Sequence, residues 1–344
     1  MPDAENLGAF PVPFDELTEA QLTAIDAARE IYVAAGGVLD AYELPFLVRH
    51  LAFHKWRPEK AKKMLVKTAE WRASTGANAV RAKLISGELR FAQFPSNLQM
   101  LSYVWFVADH GRTRNGNVAT YSQIGSIPDP YVWLNGMSDE AFYELNWHFL
   151  EHQSVLADKE SVEKRTLIRS SVVYDAHNCS GKQVSMRLVR RLNTILPVPD
   201  LYYPELVGET FVVNAPWVIH SLWGIVRHVL SREIQSRVII CGHERTPETM
   251  AKHIDAAQCP SYIFGVGEVP VMSREMADEL GFSALSPQQI DALLVNQSEE
   301  PQRYRILHAD APRPAEAARR VVGEPSDAAG DPAGAVDARE DLEA

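Results

Sequence analysis

Two short constellations in this sequence carry residue types capable of chemistry. The first, His148-Phe149-Leu150-Glu151-His152, has the His-x-x-Glu-His spacing. On a helix, histidines four apart share a face and can converge on one zinc ion, with the glutamate as a base. Here Phe142, Leu145, Phe149 and Leu156 define the arc such a helix would bury, and both histidines fall at its edge beside Ala141. No third ligand sits in a recognisable helix motif. The histidines are therefore read as part of a packed boundary, with a metal-dependent hydrolase as the lesser alternative. In the second, Asp175, His177 and Cys179 follow a strand candidate, but residues 178–182 read as a turn. A Cys–His pair needs hydrogen-bond geometry that spacing alone does not supply, so the three are expected at a loop or edge. Gly208, Gly224, Gly242, Gly265 and Gly267 form neither a Walker pattern nor a dinucleotide fingerprint, leaving no cradle for a nucleotide.

The elements that would position such residues fall into two parts. Thr18 and Gln21 have capping-box spacing for a helix running to about residue 34, which Gly36-Gly37 stops. A second helix is expected over 44–54. Pro58 fits the first turn of a third, where its missing N–H costs nothing, and Ala61, Leu65, Thr68 and Trp71 recur at helical spacing. Beyond residue 101 strands are expected over 103–108, 118–121, 168–175, 210–214 and 237–241. Helices are expected between them over 138–157, 184–195 and 218–230, with a weak one over 287–295. Strands alternating with helices of that length imply crossovers, hence α/β architecture with a substantially parallel sheet under covering helices.

The 344 residues suffice for one large domain with extensions or two modest domains. The net charge of -11 is uneven: residues 310–344 hold nine Asp/Glu against four Arg, a net of -5. That tail is rich in Ala, Pro and Gly, and is expected to be disordered, either simply solvated or available to a protein partner. No basic stretch invites phosphates, so nucleic acid is not expected as a partner. Cys179, Cys241 and Cys259 have no paired spacing and read as reduced thiols of an intracellular protein. Residues 1–13 do not resemble a secretion signal, and no run reaches the roughly 20 apolar residues of a spanning helix, so membrane contact is expected to be peripheral.

The expected helix over 218–230 is the most informative segment. Val218, Ile219, Leu222, Trp223, Ile225, Val226, Val229 and Leu230 cover a broad apolar arc, with His220, Ser221, Gly224, Arg227 and His228 on the remainder. Such a stripe exceeds what contact with one sheet usually needs. It suits burial between the sheet and another helix, or the lining of an apolar cavity or bilayer contact. Pro216 fixes the turn before it, and the indoles of Trp217 and Trp223 tolerate both apolar and headgroup surroundings.

These segments resemble a known family. The N-terminal motif Leu47-Val48-Arg49-His50-Leu51-Ala52-Phe53-His54-Lys55-Trp56 is followed by Glu59-Lys60-Ala61 and Glu70-Trp71-Arg72. Tyr202-Tyr203-Pro204-Glu205 leads through Gly208 to Phe211-Val212-Val213-Asn214-Ala215-Pro216-Trp217. Then come Ile234-Gln235-Ser236-Arg237-Val238-Ile239-Ile240 and Cys259-Pro260-Ser261-Tyr262. Together, over about residues 40–268, they resemble the Sec14-like proteins, in which a small helical domain precedes a CRAL-TRIO lipid-binding domain. The resemblance implies a flexible stretch over 1–17, the helical domain over 18–95, the CRAL-TRIO domain over 96–268, and an extension over 269–309 packing partly on it.

It further implies a non-enzymatic protein without cofactor, holding one hydrophobic lipid in a gated cavity and exchanging it during transient contact with a membrane from the cytoplasm. A lipid-sensing scaffold with little transfer is the alternative. Trp217, Val218, Leu222, Trp223, Ile225, Val226 and Val229 would form the gate helix and apolar cavity wall. Glu205, Arg237, Ser170 and Tyr121 would lie at the cavity mouth or headgroup site. Phospholipid-binding relatives have a Lys at the position of Arg237, whose planar fork differs from a compact ammonium. Ala52, Leu206 and Val172 replace residues expected to contact a headgroup and cannot donate to a phosphate. The departures favour a less demanding ligand than phosphatidylinositol or phosphatidylcholine.

Overall fold

The structure, a computed structural model, describes residues 11–94, 105–107, 111–124, 137–177, 179–181, 186–259 and 263. The expected helix over 287–295 and the 269–309 and 310–344 segments lie outside the described residues. The chain opens with α1 (Glu19–Ala34), whose capping box forms as the spacing predicts. The Thr18 hydroxyl accepts from the Gln21 N–H, and the Gln21 side chain accepts from the Thr18 N–H at 2.9 Å. Then follow α2 (Glu43–Phe53), α3 (Pro58–Thr75) and α4 (Ala77–Ser86). Ala61, Leu65 and Thr68 are fully buried, as their helical spacing requires. The periodicity does not signal α4 because its buried residues are Ala77 and Arg81, so its inward face is largely polar. Within the stretch expected to be flexible, residues 12–16 are tied down: Leu167 donates to the Val12 carbonyl and Phe14 to that of Arg165, both through their N–H groups.

Five strands form one sheet in sequence order: β1 (Trp105–Val107), β2 (Val118–Gln123), β3 (Ser170–Asp175), β4 (Val207–Val213) and β5 (Val238–Ile240). β1 is antiparallel to β2, while β2 to β5 run parallel with Tyr121, Val173, Phe211 and Ile239 side by side. Successive parallel strands are joined by α5 (Asp139–Lys164), then α6 (Met186–Ile195) and α7 (Val198–Tyr202), then α8 (Trp217–Val226) and α9 (Arg232–Arg237). Right-handed crossovers that always step the same way across a sheet lie on one face of it. Gln153 of α5 marks that face by accepting from the Thr120 and Ser170 hydroxyls. The opposite face carries Ala119, Tyr121, Val173, Phe211 and Val213, all fully buried against Met250 of α10 (Thr246–His253), Ile254, Cys259 and Ile263.

Two helix expectations need correction. The helix expected over 138–157 continues to Lys164, with Ser138 as its N-cap. Its buried residues run nearly all round, so no single arc marks its extent. The helix expected over 218–230 ends at Val226 and tightens into a 3-10 turn, Arg227–Val229.

The helical layer is fastened to α5 by ions. Asp158 accepts from Arg49 Nε at 3.1 Å and from Arg81 Nη2 at 2.9 Å. Glu151 pairs with Arg72 and accepts from the Tyr203 hydroxyl at 2.7 Å. All five charged side chains are buried. Removing one partner of such a set strands the others without solvent. Asp158→Ala should therefore lower unfolding free energy by about 3–5 kcal/mol in denaturant titration. Asp26→Ala, which breaks only an exposed pair with Arg29, should change it by about 0.5 kcal/mol or less.

Candidate functional site

Three charged residues stand where adjacent parallel strands begin. Arg169 precedes β3, Glu205 lies two residues before β4, and Arg237 precedes β5. Parallel pairing brings these ends together. Arg237 Nη2 donates to the Glu205 carboxylate at 3.0 Å, and Arg169 Nη2 donates to the same oxygen. Arg237 Nη1 also donates to the Val207 carbonyl at 2.9 Å. The predicted Glu205–Arg237 pair thus exists, with Arg169 as a second cation that motif reading misses. Its signal was available as a charge immediately before a strand, in the same place as Arg237. Burial pushes the Arg169 guanidinium down to about 10, with Glu205 opposing that fall, so it remains charged at neutral pH.

Glu205 adopts a left-handed backbone (φ 55°), which non-glycine residues rarely take without support. Arg49 supplies it, donating from Nη1 to the Glu205 carbonyl at 2.8 Å. Neighbouring side chains leave no room for a larger residue at Gly208: a Cβ there would come within 2.7 Å of Ser171 Oγ and 2.8 Å of Asn117 Nδ2. Next to Glu205 and Arg237 is a small cleft of about 10 Å³, bordered by Phe53, Tyr203 and Ile234. It has room for about one water and not for an acyl chain.

A larger opportunity lies on the crossover side of the sheet. Central parallel strands are usually buried on both faces. Here Tyr174, Thr210, Val212, Val238 and Ile240 are only half-buried, although the opposite face is closed. The crossover rule puts α8 on this side; it buries Val218 and Val226, yet Leu222, midway on the same i, i+4, i+8 stripe, is half-buried. Ile219, Trp223 and Val229 are also half-buried. Trp217 and Ile225 instead face outward, 77% and 54% exposed. The seven predicted gate residues are therefore split between an inward stripe and an outward apolar surface.

Ser170 and Tyr121 are not brought to the ion pair. The buried Ser170 hydroxyl donates to Gln153, whereas Tyr121 is packed in the closed core on the other face. Leu206 is buried beside Tyr203 and Trp147, which fixes it as a packing residue. His148 and His152 lie in the interior and not at its edge, with their rings 4.7 Å from Phe94 and 5.0 Å from Phe91. Asp175 accepts from the His177 N–H at 3.0 Å and from Asn214 Nδ2 at 2.9 Å, while His177 is exposed. Burial, with Asp175 nearby, raises the Cys179 thiol to about 11, unsuited to a nucleophile at neutral pH. Among the described residues no group of three His, Cys, Asp or Glu side chains could hold a metal ion, and no helix is long and apolar enough to cross a membrane.

Desolvation lowers His50, His148 and His152 to about 4 each. Their unfolded forms, near the ordinary histidine value of 6.5, bind more protons between those limits, so stability falls as pH drops through that window. The midpoint of urea unfolding should decline between pH 6.5 and 5, and His152→Gln should make that decline shallower.

The comparisons agree with this geometry. The CRAL/TRIO domain profile matches residues 106–265. Phosphatidylinositol/phosphatidylcholine transfer protein SFH7 of Arabidopsis thaliana is 21% identical over 256 residues, covering 73% of this chain and 44% of that protein. Patellin-5 of the same plant is 23% identical, covering 62% and 30%. The chain thus spans less than half the length of these curated relatives. The crystal structure of Sfh5 superposes with a TM-score of 0.51 at 13% identity, covering 68% of this chain and 84% of that one. Residues 106–265 thus match the CRAL/TRIO domain, and the chain is similar in sequence to SFH7 and Patellin-5 and in fold to Sfh5.

Proposed function

We propose that this chain holds one hydrophobic lipid between the crossover side of its sheet and α8, and delivers or collects it at a membrane without a chemical step. One observation carries the reading: Leu222 is half-buried between the buried Val218 and Val226, above strands whose facing residues are also incompletely covered. Apolar groups in that arrangement gain roughly 25 cal/mol per Å² when a ligand chain covers them. The names of the relatives, which include phosphatidylinositol/phosphatidylcholine transfer proteins, support the same reading.

Headgroup discrimination would rest on Arg169, Glu205 and Arg237. With Ala52, Leu206 and Val172 unable to donate to a phosphate, a ligand with a small or weakly charged headgroup fits this set better than a phosphoinositide. No metal or cofactor enters the scheme. The helical unit and the CRAL/TRIO unit would serve it together, from the cytoplasm and through transient membrane contact. A lipid-sensing scaffold would use the same cavity but would show stable occupancy with little transfer.

Native mass spectrometry of the purified chain should show one co-purifying lipid. Leu222→Asp, which introduces a charge into the inward stripe, should reduce its occupancy by about tenfold or more while leaving circular dichroism unchanged. Glu205→Ala with Arg237→Ala should alter headgroup-dependent exchange between vesicles. An empty wild-type chain, or full loading of Leu222→Asp, would overturn the reading.

A further inference from the structure

We infer that α6 and α8 form a docking face for the headgroups of an anionic membrane, α6 supplying the charge and α8 the apolar anchor. The inference deepens the lipid-exchange reading above and rests on it for its purpose. Charge along the chain points to it first. Residues 176–199 contain Lys182, Arg187, Arg190 and Arg191 and no Asp or Glu. Residues 210–232 contain Arg227 and Arg232 and again no acid. Two acid-free stretches are conspicuous in a chain of net charge -11. They are the two crossovers that lead into β4 and β5, so the fold lays them on the same face of the sheet, where α6 packs against α8.

Exposure sorts these residues by role. Arg191 is buried and donates to Asp139 from Nε at 2.6 Å, which makes it part of the scaffold. Arg187 and Arg190 are exposed. Arg187 also lies 3.8 Å from Asp139, so part of its charge is screened, and Arg190 adds to the positive field there. Eight large hydrophobic residues are exposed among the described residues, and four of them, Met186, Leu201, Trp217 and Ile225, lie on α6 to α8. Met186 is 67% exposed, in the same turns of α6 as Arg187 and Arg190.

An apolar and cationic surface in an acidic protein has a natural complement in anionic lipid. Basic side chains near such a bilayer contribute attraction that decays within a Debye length, while tryptophan and isoleucine gain by entering the interface. A nucleic acid would use the arginines but would leave Trp217 and Ile225 in water unless bases stacked there. The membrane uses both sets of residues. The face also includes the outward side of the helix proposed to gate the lipid, which would bring that helix to the bilayer.

The test is flotation of the full-length chain with vesicles of phosphatidylcholine alone or of phosphatidylcholine with phosphatidylserine. Binding should favour the anionic vesicles and weaken with added salt. Arg187→Gln with Arg190→Gln should reduce affinity for the anionic vesicles by about tenfold or more. Lys62→Gln with Lys63→Gln, exposed on α3 and equal in charge removed, should change it by about twofold or less. Trp217→Ser with Ile225→Ser should weaken binding to both vesicle types. Equal losses from the α6 and α3 variants, equal binding to neutral and anionic vesicles, or binding of a duplex oligonucleotide in place of vesicles would overturn the inference. The α6 variant should retain its co-purified lipid by native mass spectrometry. A wild-type chain that docks selectively yet carries no lipid would overturn the exchange reading while leaving the docking face intact.

Discussion

Five buried charges hold the two layers of this protein together. Arg49, Arg72 and Arg81 come from separate helices of the N-terminal layer, and Glu151 and Asp158 come from one helix of the CRAL/TRIO domain. Such a set gains little over an apolar core in net free energy, but it is intolerant of misplacement, because each ion is stranded if its partner shifts. The arrangement therefore fixes geometry. Arg49 extends this control beyond the interface, since the same guanidinium that meets Asp158 also holds the Glu205 carbonyl. The left-handed residue that lies two positions before β4 and presents its carboxylate to two arginines is thus positioned from the neighbouring layer.

The sheet translates that rigidity into an asymmetry. One face is closed by α10 and the segment after it, with Tyr121, Val173, Phe211 and Val213 packed without exposure. The other has a polar, firmly bonded end under α5, where Thr120 and Ser170 meet Gln153, and a looser apolar end at β4 and β5. Residues that must pack stably are concentrated on the first face. Those available for reversible contact lie on the second, beneath the connections that carry the exposed Trp217 and Ile225.

Much of this was legible in the sequence where periodicity and motif agreed. The α1 capping box, the burial of Ala61, Leu65 and Thr68, the parallel alternation and the Glu205–Arg237 pair all follow from local spacing or from the family resemblance. What escaped has physical causes in common. α4 buries an arginine, and α5 buries Glu151, Gln153, Ser154 and Asp158 along with its apolar residues, so hydrophobic periodicity misplaces the inward side of both. His148 and His152 belong to that same buried polar stretch, which explains why they are interior although the apolar arc puts them at its edge. Arg169 was missed because its role depends on three strands starting side by side. Splitting of the α8 residues between inward and outward surfaces likewise depends on tertiary placement, since Trp217 and Ile225 are as apolar as their buried neighbours.

The ionic seam also separates two meanings of the word domain. The stretch that matches the CRAL/TRIO domain profile, residues 106–265, includes Glu151 and Asp158 but none of the three arginines that neutralise them. Cut out by itself, it would expose or bury two carboxylates without their counterions and would leave the Glu205 backbone without the Arg49 contact. The unit that matches the profile is thus smaller than the unit that can close its own electrostatics. In this chain the helices that carry Arg49, Arg72 and Arg81 are part of the smallest unit with its buried charges paired.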